Sequence, residues 1–273
     1  MNASAAQSKP ATHELCYRTG ILGFGAYLPT HRLDLSAIRA TLGSGGAKGT
    51  RTVAGYDEDS TSMAVEAARR TLRGSVDVPT SIVLATTTPA YVDKTNATAV
   101  HAALALPATT GAYDAGGAAR STAGALRAAL RSTDTTLVVG ADIRAGRPGS
   151  VDEAAGGDGA AAVLIGDGPD VLAELVGVAS ISSEFLDRWR TPGDDTSRVW
   201  EERFGENAYL PLADAVVADA LKHAGLNLED VDLAVAAKPR RIPAAPAAPM
   251  PVSASTTVVA FASSARTLPV ARR

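Results

Sequence analysis

Three short runs of this chain are apolar almost without interruption: Ser81-Ile-Val-Leu-Ala85, Thr135-Thr-Leu-Val-Val139 and Ala160-Ala-Ala-Val-Leu-Ile165. A strand with no polar alternation has no face to offer water. It has to be covered on both sides, and helices on either side of a mainly parallel sheet do this. The intervening segments supply such helices. From Ser60 to Leu72, residues Met63, Ala64, Ala67, Ala68 and Leu72 form one apolar stripe, with Ser60 or Thr61 available as a cap. A second helix is expected from Asn96 to Leu106, stopping before Pro107, and a third, rich in small residues, from Ala118 to Leu130. Gly20 to Pro29 reads as a strand entering a turn, and Gly111 to Asp114 and Val171 to Ser180 as further strands. Aromatic residues make up only 4% of the chain. Alanine, valine and leucine must therefore do the packing, and small side chains let helices lie close to a sheet.

The 273 residues suffice for one large domain or two medium ones. A net charge of -3 gives no electrostatic footing for nucleic acid as a general partner. The single cysteine, Cys16, excludes an internal disulfide and a cysteine-rich zinc site, and His13, His31, His101 and His223 show no paired metal-ligand spacing. No apolar run is long enough to span a membrane. Residues 1–18 read as a flexible polar leader without the apolar stretch of a secretory signal, so the expected compartment is cytoplasmic. Residues 238–273 stand apart. They hold six basic residues, no acidic ones, and six of the 15 prolines. Prolines such as Pro243, Pro246, Pro249 and Pro251 remove backbone donors, so this segment reads as a disordered basic tail, with Val258 to Phe261 able to form a short edge strand. A nucleic-acid or membrane arm, and a sequence altered by truncation or a frame change, are the alternatives.

One internal echo suggests two similar halves. Helix Met63–Leu72, an acidic loop and the strand from Ile82 are matched by helix Leu212–His223, the loop Leu226–Asp232 and a strand from Leu233. The expected organisation is a leader at 1–18, a first half at 19–180, the start of a second half at 181–237, and the tail.

Several local patterns invite chemistry. Gly23-x-Gly25 follows a strand, but the third glycine of a dinucleotide fingerprint falls on Leu28 and Pro29 follows, so a turn is the better reading. No phosphate-binding P-loop motif occurs, and Gly43 to Gly49 reads as a flexible loop. Ser121 lies at a strand-to-helix elbow without the flanking glycines of a serine hydrolase. Asp57, Glu58 and Asp59 complement a helix dipole, the alternative being a metal or catalytic role. Gly156-Gly157-Asp158-Gly159 is either an anion-binding nest or a tight turn. His101 on an alanine-rich helix reads as structural.

The order of these pieces resembles the condensing enzymes of the thiolase superfamily. The resemblance is to the 3-hydroxy-3-methylglutaryl-CoA synthase and type III ketoacyl-acyl-carrier-protein synthase branch. Gly20 to Pro29 resembles the opening strand, Asp57 to Ala68 the first long helix, and Ala85 to Pro89 with Lys94-Thr95 the next strand and loop. Tyr113 to Leu126 resembles the nucleophile elbow, and Leu137 to Asp142 and Gly157 to Ile165 the strands that follow. Arg188-Trp189-Arg190 to Tyr209 and the Leu212–Ala237 unit continue the match, which covers roughly 19 to 239.

The resemblance implies a layered α-β-α-β-α fold, complete in its N-terminal half and incomplete in its second. It also implies an acyl-CoA or acyl carrier protein as substrate or ligand, no further cofactor, and a homodimer or hetero-oligomer with the Gly116–Leu126 region near the interface. In that family an acylated cysteine at a helix N-terminus, a glutamate acid/base and a histidine carry the carbon–carbon bond-forming Claisen condensation. Here the cysteine position is Ala119, the glutamate falls among Thr86 and Thr87, and the histidine position is Ala237. The chain is therefore expected to be an acyltransferase-like member that handles acyl-CoA thioesters without covalent cysteine catalysis, Ser121 being the one weak nucleophile candidate. The alternatives are non-covalent chemistry on an acyl-CoA, a non-catalytic acyl-CoA-binding or scaffold subunit, and a truncated inactive product.

Overall fold

The apolar runs do become central strands. The structure, a computed structural model, describes residues 19–75, 77–118, 120–186, 188–199 and 202–233, together with the backbone of a strand at 255–263. The chain opens with β1 (Thr19–Tyr27), a hairpin of β2 (His31–Asp34) and β3 (Thr50–Val53) that encloses α1 (Leu35–Leu42), and α2 (Ser60–Leu72). Then come β4 (Ser81–Thr86), α3 (Ala97–Ala103), β5 (Gly111–Gly116), α4 (Ser121–Ala129) and β6 (Thr136–Asp142). They are followed by α5 (Val151–Ala155), β7 (Gly159–Asp167), β8 (Ala173–Ser182), a ribbon of β9 (Arg188–Trp189) and β10 (Arg198–Val199), α6 (Glu202–Ala224) and β11 (Ser255–Ser263). The leader 1–18, with Cys16 and His13, lies outside the described residues, as do Ala119 and Ala237.

Seven strands form one sheet in the order β11-β8-β1-β7-β6-β4-β5. The sheet is mixed and not mainly parallel as expected. Only β4–β5 and β4–β6 pair in parallel; β6–β7, β7–β1, β1–β8 and β8–β11 are antiparallel. The reason is the route from β6 to β7. Asp142 sits opposite Gly159, so the 143–158 connection, α5 included, closes a wide hairpin instead of crossing the sheet. Val258 to Phe261 fall inside edge strand β11.

Both faces of the sheet are covered. On one side Met63, Ala64, Ala67 and Ala68 of α2 and Ala97 and Val100 of α3 pack against Ile82, Leu84, Leu137, Val139, Ala162 and Leu164. On the other, Ala125 and Ala129 of α4 with Leu130 meet Val138 and Ile165, while Val216 and Ala220 of α6 meet Ala179 of β8. These helices and the sheet make three consecutive layers. The glycines of β1 serve this packing rather than a nucleotide: a Cβ at Gly25 would stand 2.7 Å from the Thr71 nitrogen and 2.8 Å from the Ala67 oxygen of α2.

Helix limits differ from the sequence reading where capping is tertiary. The α2 cap is Asp59, whose carboxylate accepts from the Ser62 N–H at 2.6 Å while the Ser62 hydroxyl accepts from the Asp59 N–H at 2.8 Å. Ser60 and Thr61 are instead buried in the first turn. The α3 helix is shorter than expected and begins at Ala97, because Asp114 of β5 accepts the N–H groups of Asn96 and Ala97, each at 2.7 Å. The α4 helix runs from Ser121 to Ala129. The helical part of the internal echo, Leu212–His223, lies within α6, and its loop carries a short 3-10 helix, Leu228–Asp230. The echo's strand beyond Leu233 lies outside the described residues. The hairpin β2–β3 and α1 had no counterpart in the sequence reading.

Candidate active site at the ends of the parallel strands

Strands β5, β4 and β6 are the parallel part of the sheet, and their carboxyl ends lie side by side at Gly116, Thr86 and Asp142. In open α/β sheets this is where ligands meet the chain, because successive strands hand over to connections that diverge and leave a crevice. Thr86 is buried, and its carbonyl accepts the N–H of Gly117 at 3.3 Å, joining the end of β4 to the turn that enters α4. Gly117 has φ +96, a conformation that favours glycine, so the elbow is a sharp one.

Asp142 organises the crevice. One of its carboxylate oxygens accepts the Thr87 N–H at 2.7 Å, the Thr87 hydroxyl at 2.9 Å and the Thr86 hydroxyl at 3.2 Å. The Thr86 hydroxyl in turn accepts the Thr88 N–H at 3.0 Å, and the Thr88 hydroxyl accepts the Ile143 N–H at 2.9 Å. The segment 86–88 is thus stitched to the end of β6. Two arginines reach the same place: Arg144 donates to the Thr87 hydroxyl at 3.1 Å and Arg190 to the Thr87 carbonyl.

The expected site residues therefore come together only in part. Thr86 and Thr87 stand at the crevice, next to the elbow. Ser121 opens α4, but its hydroxyl donates to the Gly116 carbonyl at 3.1 Å, and no histidine of the described residues is bonded to it. The histidines of the described residues are engaged elsewhere. His101 Nε2 contacts the Pro107 carbonyl at 2.9 Å, His223 Nδ1 contacts the Val178 carbonyl at 3.0 Å, and His31 lies on the β2–β3 hairpin. Arg120, beside the elbow, extends to β8, donating to Ser180 Oγ at 2.8 Å and Ser182 Oγ at 3.3 Å. Burial, and then the neighbouring charge of Arg127, push the Arg120 guanidinium below its ordinary pKa. The arrangement offers hydroxyls, one carboxylate and guanidinium groups. It can orient a polar ligand, but among the described residues no nucleophile is paired with a base.

The other sequence candidates are structural. The turn Gly156 to Gly159 is no anion nest, because its own carboxylate fills the role. Asp158 is buried and accepts the Ala54 N–H at 2.8 Å, the Arg144 N–H at 2.8 Å and Arg51 at 3.2 Å. Glu58 accepts the Tyr27 hydroxyl and the Gly55 N–H. The Tyr27 hydroxyl and then that N–H hold the Glu58 carboxyl below its usual range, while the same bond and burial raise Tyr27. Among the described residues no group of three or more His, Cys, Asp or Glu side chains could hold a metal ion. No helix among them is long and apolar enough to cross a membrane. Sequence reasoning missed Asp142 and Arg144 as crevice residues. The available signal was a charged residue on each side of Ile143, Asp142 and Arg144, where a buried strand ends.

Solved structures share this architecture. The 3-oxoacyl-(acyl carrier protein) synthase III of Pseudomonas aeruginosa superposes with a TM-score of 0.68 at 23% identity, covering 78% of this chain and 73% of that one. An HMG-CoA synthase solved with CoA gives 0.67 at 20% identity, covering 78% and 58%. No protein-family model matches the chain. Curated relatives narrow the class. The hydroxymethylglutaryl-CoA synthase of Methanopyrus kandleri is 33% identical over 238 residues, covering 81% of this chain and 67% of that protein. That of Aeropyrum pernix is 32% identical over 235 residues, covering 81% and 65%. The chain belongs to the hydroxymethylglutaryl-CoA synthase family, and spans about two thirds of the length of these relatives.

Proposed function

We propose that this protein binds acyl-CoA thioesters, or acyl groups on an acyl carrier protein, in the crevice formed by Thr86–Thr88, Asp142 and the elbow before α4, and does not form an acyl-enzyme. The observation that carries this reading is the composition of the crevice. It is stitched together around Asp142, with threonines where the family resemblance puts the acid/base, and the sequence carries alanine at position 119, where the same resemblance puts the thiolate nucleophile. A methyl group cannot attack a thioester, and a threonine hydroxyl has no acid/base capacity near neutral pH. The reaction class that fits is non-covalent chemistry on a bound acyl-CoA, in an acyltransferase-like family member acting in the cytoplasm.

The second reading is a non-catalytic acyl-CoA-binding subunit working as a homodimer or hetero-oligomer. Its support is that β5, the strand leading into the elbow, is an edge of the seven-stranded sheet with Tyr113 exposed on it. Incubation with acetyl-CoA separates these readings. Calorimetry is expected to show binding, and intact-mass spectrometry to show no added acetyl group of about 42 Da. An adduct overturns the non-covalent mechanism, and absence of binding overturns the thioester reading altogether. Turnover of an acyl-CoA by the isolated protein favours the enzyme over the subunit.

A further inference from the structure

We propose that the ribbon β9–β10 is a strap across the mouth of the strand-end crevice, that a clamp between Arg188 and Asp152 sets its closed position, and that a ligand enters when it lifts. This rests on the thioester-binding reading above. Two ties locate the strap. Arg190, just after β9, donates to the Thr87 carbonyl at the end of β4. Arg188 grips both carboxylate oxygens of Asp152 in α5, within the connection that leaves β6. The ribbon is therefore tied to the exit of β4 and to α5 in the connection between β6 and β7.

Its own structure is slight. Two residue pairs hold it, Arg198 with Trp189 and Val199 with Arg188. A two-stranded ribbon is marginal alone in water, so its position depends on what anchors it. Its turn is closed internally, with Asp194 accepting the Thr191 N–H at 3.0 Å and the Thr191 hydroxyl at 2.6 Å. The strap thus moves as a unit rather than fraying at the tip. Arg198 and Val199 face solvent, whereas the Arg188 and Asp152 side chains are only 26% and 20% exposed. A bidentate guanidinium–carboxylate contact in that position is the strongest type of charged hydrogen bond available to it.

Amide hydrogen exchange over 188–199 tests the clamp without any ligand. Asp152→Asn and Arg188→Gln are each expected to speed exchange there about tenfold. The double variant should go no further than Arg188→Gln alone, because that change has already broken the contact that Asp152→Asn removes. In the parent protein, acetyl-CoA is expected to slow exchange over the same segment. Unchanged exchange in both single variants overturns the clamp, with Arg188→Gln guarding against damage confined to α5. Binding of acetyl-CoA that leaves 188–199 unprotected overturns the strap while sparing the thioester reading. Absence of binding in calorimetry overturns that reading, and exchange in the ligand-free variants still decides the clamp.

Discussion

Replacing Asp158 by alanine should be among the most damaging single changes in this fold that touches no ligand. The carboxylate is 3% exposed and ties its own turn to two other segments: β3 and its end, through Arg51 and the Ala54 N–H, and the exit of β6, through the Arg144 N–H. Breaking a buried ion pair by removing one partner costs about 3–5 kcal/mol. Two features set the value here. Arg51 keeps its donations to the Glu153 carbonyl at 2.9 Å and the Arg144 carbonyl at 2.8 Å, which lowers the cost. The orphaned N–H groups of Ala54 and Arg144 raise it by about 1 kcal/mol each where water reaches them poorly. The net expectation is about 4 kcal/mol, or a fall in melting temperature of about 10 °C for a unit of this size. Thermal and urea denaturation followed by circular dichroism measure it. Asp158→Asn keeps one acceptor and should lose about half as much. If Asp158→Ala melts within about 2 °C of the parent, the carboxylate does not hold these segments and the reasoning fails.

Ala119→Cys puts a thiol where the family resemblance places the nucleophile. It should acquire an acetyl adduct of about 42 Da by mass spectrometry yet show no condensation product, because Thr86 and Thr87 supply no acid or base. The Glu58 carboxyl is held low by the Tyr27 hydroxyl and then the Gly55 N–H. Its contribution is present above the ordinary carboxylate pKa and lost as pH falls through the depressed folded value. Urea midpoints measured from pH 6 downward should therefore fall less steeply in Glu58→Gln than in the parent. Tyr27 shifts the other way, so the stability it contributes is complete below its unfolded pKa and is lost as pH rises through the raised folded one; Tyr27→Phe should flatten the alkaline limb of the same profile. Gly25→Ala drives a methyl against the backbone of α2 and should cost about 1–3 kcal/mol, read from the urea midpoint.

The parts legible in the sequence were those fixed by local periodicity. The α2 stripe of Met63, Ala64, Ala67 and Ala68 and the buried runs of β4, β6 and β7 follow from apolar spacing alone, and each lies where that spacing puts it. Strand direction was not legible. An apolar run reads the same forwards and backwards, and only the sheet shows that the path from Asp142 to Gly159 turns back. The start of α3 was hidden for a related reason: its cap comes from Asp114, 17 residues beyond Ala97, so no local motif announces it. At the crevice, Thr86 and Thr87 were recognised through their place in a motif order. Asp142 was not, because its role depends on two threonines, Thr86 and Thr87, brought to it by the end of β4.

The strand order has a consequence for how the protein is made. Strand β1, the first strand of the sheet in chain order, finds its long partner only in β7, with Thr19 opposite Asp167 and Tyr27 opposite Ala160. Everything from β1 through β7 must be synthesised before that seam can close, and loop-closure entropy makes such distant pairing slow. Until then a glycine-rich strand waits with its hydrogen-bonding edges open, which is the condition under which nascent chains aggregate or recruit chaperones.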